Sequence, residues 1–417
     1  MRLFLANNVR FARENIRWIG GCFILTMFSS FGQTFFVGLS GNDLRAQFAL
    51  SGGEFGGLYM AATLMSALTL PWLGRTLDLM PGWKVARFTI PSLAFACILL
   101  TLAPNLAVLA LALYMLRLFG QGMMTEIAFT ETGRWFVANR GRAMALVVLG
   151  LQAGSTLLPV AVVLLRDMGG WRVPWIASAL VLMLIGFPLV LKLLSIERVP
   201  HSTEYHASNA RLARNWSRGE VIRDPVFYLL LTGTLAPPFI GTTLFFHQGY
   251  LITLRSYDPL VFAAAFPVMS VTTVVFSLVC GHLIDRFGAL RLLPFVLIPL
   301  AFASAAAGLI TPAWGIYLFM FLLGVSYGFT QTLLGALWPE VYGVANLGGI
   351  RALTVSSMVL ATALGPGITG ALIDMGIELP TQMLWMSGWC VIASFGLTAA
   401  SRIVSLRETA ASAHAHS

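Results

Sequence analysis

From Trp18 to Asn42 the chain runs 25 residues without a charged side chain, and it repeats the feat along its whole length. An α-helix needs roughly 20 apolar residues to cross the hydrocarbon core of a bilayer. With histidine left aside, eight charge-free intervals suit a single crossing: 18–42, 55–74, 143–165, 173–191, 225–254, 259–284, 352–373 and 379–401. Two longer apolar stretches, about 88–133 and 292–339, are interrupted at Ala103-Pro104-Asn105 and Thr311-Pro312-Ala313. Proline and asparagine there mark tight turns, so each stretch predicts a helical hairpin. The total is twelve spans. Charged residues make up only 10% of the chain, against about a quarter in a soluble protein, so most of its surface must face lipid.

The first run is too long for a signal-peptide core and is read as the first membrane helix. With the N-terminus inside, 21 of the 26 Lys and Arg residues fall on the cytoplasmic side, four (Arg45, Arg166, Arg172, Arg255) fall outside, and Arg117 lies within a span. That bias is the orientation signal of membrane proteins. It accounts for the net charge of +9 without any nucleic-acid partner, and it puts both termini in the cytoplasm. Cys22, Cys97, Cys280 and Cys390 lie far apart in apolar runs, as small core residues rather than a disulfide framework or metal site.

A second feature organises the spans. Gly74 and Asp78 recur 207 positions later as Gly281 and Asp285. The same offset links Arg17 to Asp224, Ala138-Asn139 to Ala345-Asn346, Pro159 to Pro366 and Asp167 to Asp374. Six spans is an even number, so the two copies run in the same direction, a parallel repeat about an axis along the membrane normal. The predicted fold is therefore an all-α membrane protein of twelve transmembrane helices in two six-helix bundles. The expected boundaries are 1–194 for the first bundle, 195–224 for a cytoplasmic linker, 225–403 for the second bundle and 404–417 for a cytoplasmic tail.

On the segment "GHLIDRFGALR" (281–291) and its first copy "GRTLDLMPGWK" (74–84) the chain resembles the major facilitator superfamily of 6 + 6 secondary transporters. The superfamily loop G-x-x-x-D-R-x-G-x-x-R is complete in the second copy as Gly281, Asp285, Arg286, Gly288 and Arg291. The first keeps Gly74, Asp78, Lys84 and Arg87, with Leu79 in place of the usual Arg. The resemblance spans about residues 15 to 403 and implies alternating access. A short Asp at a helix end favours the positive end of a neighbouring helix dipole, and arginines beside it can pair with an acid such as Glu340. These residues are thus expected to latch one conformational state. "RWFVANRGRAMAL" (134–146), Gly150 through Pro159, and "GGWR" (169–172) are further similar to the monocarboxylate and oxalate–formate branch. The spans at 259–284 and 352–373 lack the deep charges that many carriers of that branch hold, Arg351 lying only at the start of the latter. Substrate identity is not inherited with the resemblance.

Strongly polar residues well inside the spans are Gln33, Arg117, Gln121, Glu126, Gln152, His247, Gln248 and Gln331. Seven of the eight fall on spans 1, 4, 7 and 10, which in the superfamily line the central cavity. Such groups are costly in lipid and usually face a pathway. Arg117 is the one deep positive charge, for an anion or for bracing the first helix. Glu126 is expected to be buried, either carrying a proton or hydrogen-bonded to a neighbouring helix; His247 is a second candidate, either titrating near neutral pH or capping the cavity mouth. Tyr327 and Gln331, one turn apart on the tenth span, are further cavity candidates, while Gly324 and Gly328 are expected to serve close helix packing.

Together these features point to a secondary carrier of a small organic anion with proton symport, acting as a monomer in a bacterial inner membrane. The alternative reading is a proton-coupled exporter of amphipathic compounds. Enzyme classes find no support: neither lysine belongs to a phosphate-binding loop, no cofactor or metal site is legible, and the C-terminal "HAHS" offers only two histidines.

Overall fold

The computed structural model describes residues 10–136, 140–196, 198, 216–343 and 346–415. Ala138, Asn139 and Ala345 of the repeat lie outside them. The chain divides into two compact units, Met1–Ser208 and Asn209–Ser417. In the first, the long helices are α1 (Ile16–Gly38), α2 (Gly52–Gly74), α3 (Gly82–Leu102), α4 (Leu106–Trp135), α5 (Arg140–Gly169) and α6 (Arg172–Leu194). In the second they are α7 (Pro225–Phe246), α8 (Phe266–Phe287), α9 (Ala289–Leu309), α10 (Trp314–Tyr342), α11 (Leu347–Asp374) and α12 (Leu379–Ala415). Among the described residues, eleven helices are long and apolar enough to cross a membrane. The twelfth, α2, has the length at 23 residues, but Gly52, Gly53, Gly56, Gly57 and Glu54 dilute its hydropathy. The protein is an all-α membrane protein.

The boundaries follow from local chemistry. Ser51 caps α2 through a reciprocal box: its hydroxyl accepts from the Glu54 amide at 3.1 Å, and the Glu54 carboxylate accepts from the Ser51 amide at 2.8 Å. At the predicted hairpin turn, α3 ends at Leu102 and the side chain of Asn105 caps α4 by accepting from the Val108 amide at 3.0 Å. Asp224 caps α7 from the position before Pro225, which needs no hydrogen-bond donor at the first helical residue. Helix α12 continues past 403, so the described part of the expected tail is the end of that helix.

The repeat also shows in packing. In each unit the first helix packs on the fifth, the second on the fourth and the third on the sixth: α1 on α5, α2 on α4 and α3 on α6, then α7 on α11, α8 on α10 and α9 on α12. Close approach depends on small residues. A Cβ on Gly150 would lie 2.1 Å from Thr26 Oγ1, and one on Gly154 would lie 2.0 Å from Ser30 Oγ, so α5 sits directly against the backbone of α1. Gly324 and Gly328 do the same for α10 on α8, where added Cβ atoms would be 2.5 Å from the Met269 oxygen and 2.6 Å from the Thr273 oxygen. The packing role expected for these two glycines matches this contact.

Candidate functional site

In the first unit the polar residues gather where α1 is interrupted. Its regular part ends at Phe28, a tighter turn covers Ser29–Gly32, Gln33 is extended (φ −78°, ψ 152°), and Thr34–Gly38 resumes the helix. Opposite this break α4 also departs from regular geometry, as a π-helical segment Leu116–Met124. Such segments are frequent at functional sites. The two backbones touch: a Cβ on Gly32 would lie 2.1 Å from the Leu116 oxygen and 2.7 Å from Gly120 Cα.

Arg117 issues from the π-helical segment and is only 3% exposed. Its Nη1 donates to the Gly32 carbonyl at 3.4 Å and to Thr34 Oγ1 at 3.3 Å. The guanidinium carbon lies 5.4 Å from the centroid of Tyr59, whose hydroxyl donates to Thr34 Oγ1 at 2.9 Å. Arg117 therefore braces the break, and among the described residues its partners are all neutral. A buried charge whose partners are all neutral retains a strong demand for an anion. Gln33 and Gln121 are half-buried beside it. Thr34 and Tyr59 complete the constellation; hydroxyl residues are too common in membrane helices for the sequence to single them out.

The other candidates of this unit lie elsewhere. Glu126, expected to be buried, is exposed and stands on α4 just beyond the π-helical segment. The buried carboxylate is Glu131, whose side chain is 3% exposed and which accepts from the Gly82 amide at 2.9 Å. Its proximity to Arg134, three residues on, marks it in retrospect as half of an ion pair at 3.3 Å. Gln152 is half-buried on α5 between the two packing glycines.

In the second unit His247 ends α7 and is buried. Its Nε2 lies 3.0 Å from the Pro366 carbonyl on α11; since a carbonyl only accepts, Nε2 is the protonated nitrogen. His247 thus ties α7 to α11. Gln248 is fully buried beside it. Tyr327 is half-buried with its hydroxyl against Gly241 of α7, where a Cβ would meet it at 1.7 Å, and Gln331, a turn further, is exposed.

The loop residues expected to act as latches make different contacts from those anticipated. Asp78 is 77% exposed and 3.6 Å from Arg134, which also donates to the Leu77 carbonyl. This loop, with Glu131, Arg134 and Arg198, lines a cavity of about 370 Å³. Gly74 has open space where a Cβ would be. Lys84 is exposed over the Trp83 ring, 5.6 Å from its centroid. In the second copy Gly288 has φ +81°, a conformation that only glycine adopts without strain. Arg286 and Arg291 are exposed, Gly281 is half-buried, and the side chain of Asp285 lies outside the described residues. Glu340 was expected to pair with the loop arginines; instead it accepts from the Ala289 amide at 3.1 Å. Gly82 and Ala289 are themselves 207 positions apart, so each unit places a carboxylate on the N-terminus of its third helix. An exposed N–H and the positive helix end explain the choice.

Comparison with known proteins gives three findings. The family model described as Major Facilitator Superfamily matches residues 22–366. Comparison with curated protein sequences returns no match. Among solved structures, a bacterial homolog of the human lysosomal transporter Spinster, inward-facing and unoccupied, is similar with TM-score 0.70 and 15% identity over 92% of this chain and 96% of that one. A variant of the nucleoside transporter NupG is similar with TM-score 0.71 and 13% identity over 92% of this chain and 99% of that one.

Proposed function

Because the chain belongs to the major facilitator superfamily, we propose that it is a secondary carrier moving a small, monocarboxylate-like organic anion together with a proton by alternating access. One observation carries the substrate class: Arg117, 3% exposed at the broken part of α1, has only neutral partners among the described residues. A carboxylate arriving there would meet a guanidinium already held in position, and charge-assisted bonds to such a group are about twice as strong as neutral ones. Exposed Glu126 on the same helix supplies a titratable group that a proton can reach. The loop residues Asp78, Lys84, Arg286, Arg291 and Glu340, with Asp285, serve the conformational change, and a monomer in a bacterial inner membrane is the working unit.

The test uses proteoliposomes loaded with a pH-sensitive dye. Lactate, pyruvate, formate, oxalate and larger carboxylates are offered in turn, then nucleosides and amphipathic cations. The expected result is lumenal acidification by at least one carboxylate, absent from empty liposomes and lost in Arg117→Ala. A signal driven only by nucleosides or by amphipathic cations would overturn the reading in favour of a nucleoside carrier or an exporter.

A further inference from the structure

Beside the atoms of Arg117 that brace α1 are others that hold nothing. Nη1 makes the bonds to Gly32 and Thr34, but Nε is buried and has no hydrogen-bond partner among the described residues. Four residues on, Gln121 Oε1 is in the same position: a buried acceptor without a donor. Both side chains project from the π-helical segment Leu116–Met124, and a spacing of four residues puts them on neighbouring parts of one face. Buried polar atoms are nearly always paired, so two orphans one turn apart require an explanation. Gln121 as a residue is half-buried, whereas Arg117 is only 3% exposed.

The two atoms ask for different things. The Nε and Nη2 edge of a guanidinium is a planar fork that fits the two oxygens of a carboxylate. A glutamine carbonyl accepts and cannot donate. A plain alkyl carboxylate satisfies the fork and leaves Oε1 unpaired; a neutral alcohol does the reverse. Gly120 and Gly122, which flank Gln121, pack against Gly32 of α1 and Leu70 of α2.

We propose that Arg117 and Gln121 form a two-point subsite for a carboxylate with a hydrogen-bond donor, hydroxyl or ammonium, on the carbon next to it. The carboxylate lies on the free edge of Arg117 and the donor on Gln121 Oε1. The subsite rests on the anion-carrier reading and narrows it: Arg117 sets the charge of the cargo, and Gln121 discriminates among acids of one size.

Pairs of acids that differ only in the donor test this in reconstituted protein: lactate against propionate, and glycolate against acetate, with alanine for the ammonium case. The half-saturating concentration for uptake is read for the wild type, Gln121→Met and Arg117→Lys. The donor-bearing member of each pair is expected to saturate at about a tenfold lower concentration in the wild type, the scale of one net hydrogen bond. Gln121→Met should bring the members of each pair within about twofold while propionate transport persists, and Arg117→Lys should weaken both alike. Equal values for lactate and propionate in the wild type, with uptake still dependent on Arg117, would overturn the subsite and leave the anion carrier standing; an ordered water joining the two atoms gives that result. Carboxylate uptake indifferent to Arg117 would remove both. The wild-type comparison decides even where Gln121→Met does not fold.

Discussion

Asp224 shows how much a single residue can hold in this protein. Its side chain is 2% exposed, and both of its oxygens accept from Arg407 of α12, each at 2.9 Å. It also accepts from the Tyr342 hydroxyl at 3.2 Å and from the Val226 amide at 3.2 Å. Burial pushes the carboxyl up, but the bonds from Arg407 and Val226 and the charge of Arg407 pull it further down, so it titrates below its ordinary value. A carboxylate with a depressed folded-state value contributes stability that is present above the unfolded value of about 3.9 and is lost as pH falls through the folded one. Asp224→Asn keeps a helix cap and loses the ion pair. It should destabilise the protein at pH 7 by about 2 kcal/mol, less than a fully buried pair because Arg407 is 39% exposed. Thermal unfolding in detergent at pH 7 and pH 3 checks this. The wild type should lose more stability than the variant on acidification, and parallel losses would refute the assignment. The sequence displayed Asp224 only as the counterpart of Arg17, since its partner lies 183 residues away. In the first unit Arg17 meets the end of α6 instead, donating to the Lys192 carbonyl at 2.7 Å and the Leu193 carbonyl at 2.9 Å. One repeat position thus ties the first helix to the sixth by opposite charges.

The elements divide into those whose cause is local and those whose cause is not. The spans and the turns at Pro104 and Pro312 are set by neighbouring residues and were legible; the cap at Asn105 is equally local. The break in α1 and the π-helical segment of α4 meet at Gly32 and Gly120, a contact that neither segment displays alone. The exposure of Glu126 was hidden for the same reason: a π-helical stretch shifts the face on which later residues emerge. The α1–α5 contact allows a test at this scale. Gly154→Val would drive side-chain atoms into Ser30 and the Met27 carbonyl, 2.0 and 2.7 Å from the Cβ position. Overpacking costs typically 1–3 kcal/mol, more where backbone is the obstacle, so the variant should unfold several degrees lower or be recovered in reduced yield. Gly57→Ala on α2, with nothing within 4 Å of its Cβ, should raise stability by about 0.5–1 kcal/mol through helix propensity. Fluorescence-detected thermal unfolding compares the two; equal effects would mean that α1 and α5 are not in contact at Gly154.

On the scale of the whole molecule, charge sets orientation and its exceptions are informative. Four arginines fall on the side away from the cytoplasm by the span count, and each has a structural use. Arg166 pairs with Asp43 at 2.8 Å. Arg172 donates to the Thr101 carbonyl at 3.1 Å and to Gln47 at 2.7 Å. Arg45 reaches the Leu50 carbonyl at 3.4 Å. Arg255 donates to the carbonyls of Ala307, Gly308 and Ile310 at the end of α9. Arg172 and Arg255 do equivalent work, each satisfying carbonyls at the end of its unit's third helix, where the dipole favours a cation. A basic residue on that side opposes the orientation rule and is retained where it closes a helix end that water alone would otherwise serve. Two outcomes are expected together. A fluorescent protein fused after Ser417 should fluoresce, because it folds only in the cytoplasm, while the same protein inserted after Ser256 should stay dark. Arg255→Ala should lower the unfolding temperature and leave that topology unchanged, whereas Arg13→Ala, at an exposed residue before α1, should leave the unfolding temperature unchanged. A bright insertion at Ser256 would invert the orientation and make these arginines part of the inside signal. If Arg255→Ala unfolded at the wild-type temperature, the carbonyls of α9 would need no cation, and Arg172 and Arg255 would lose their common explanation.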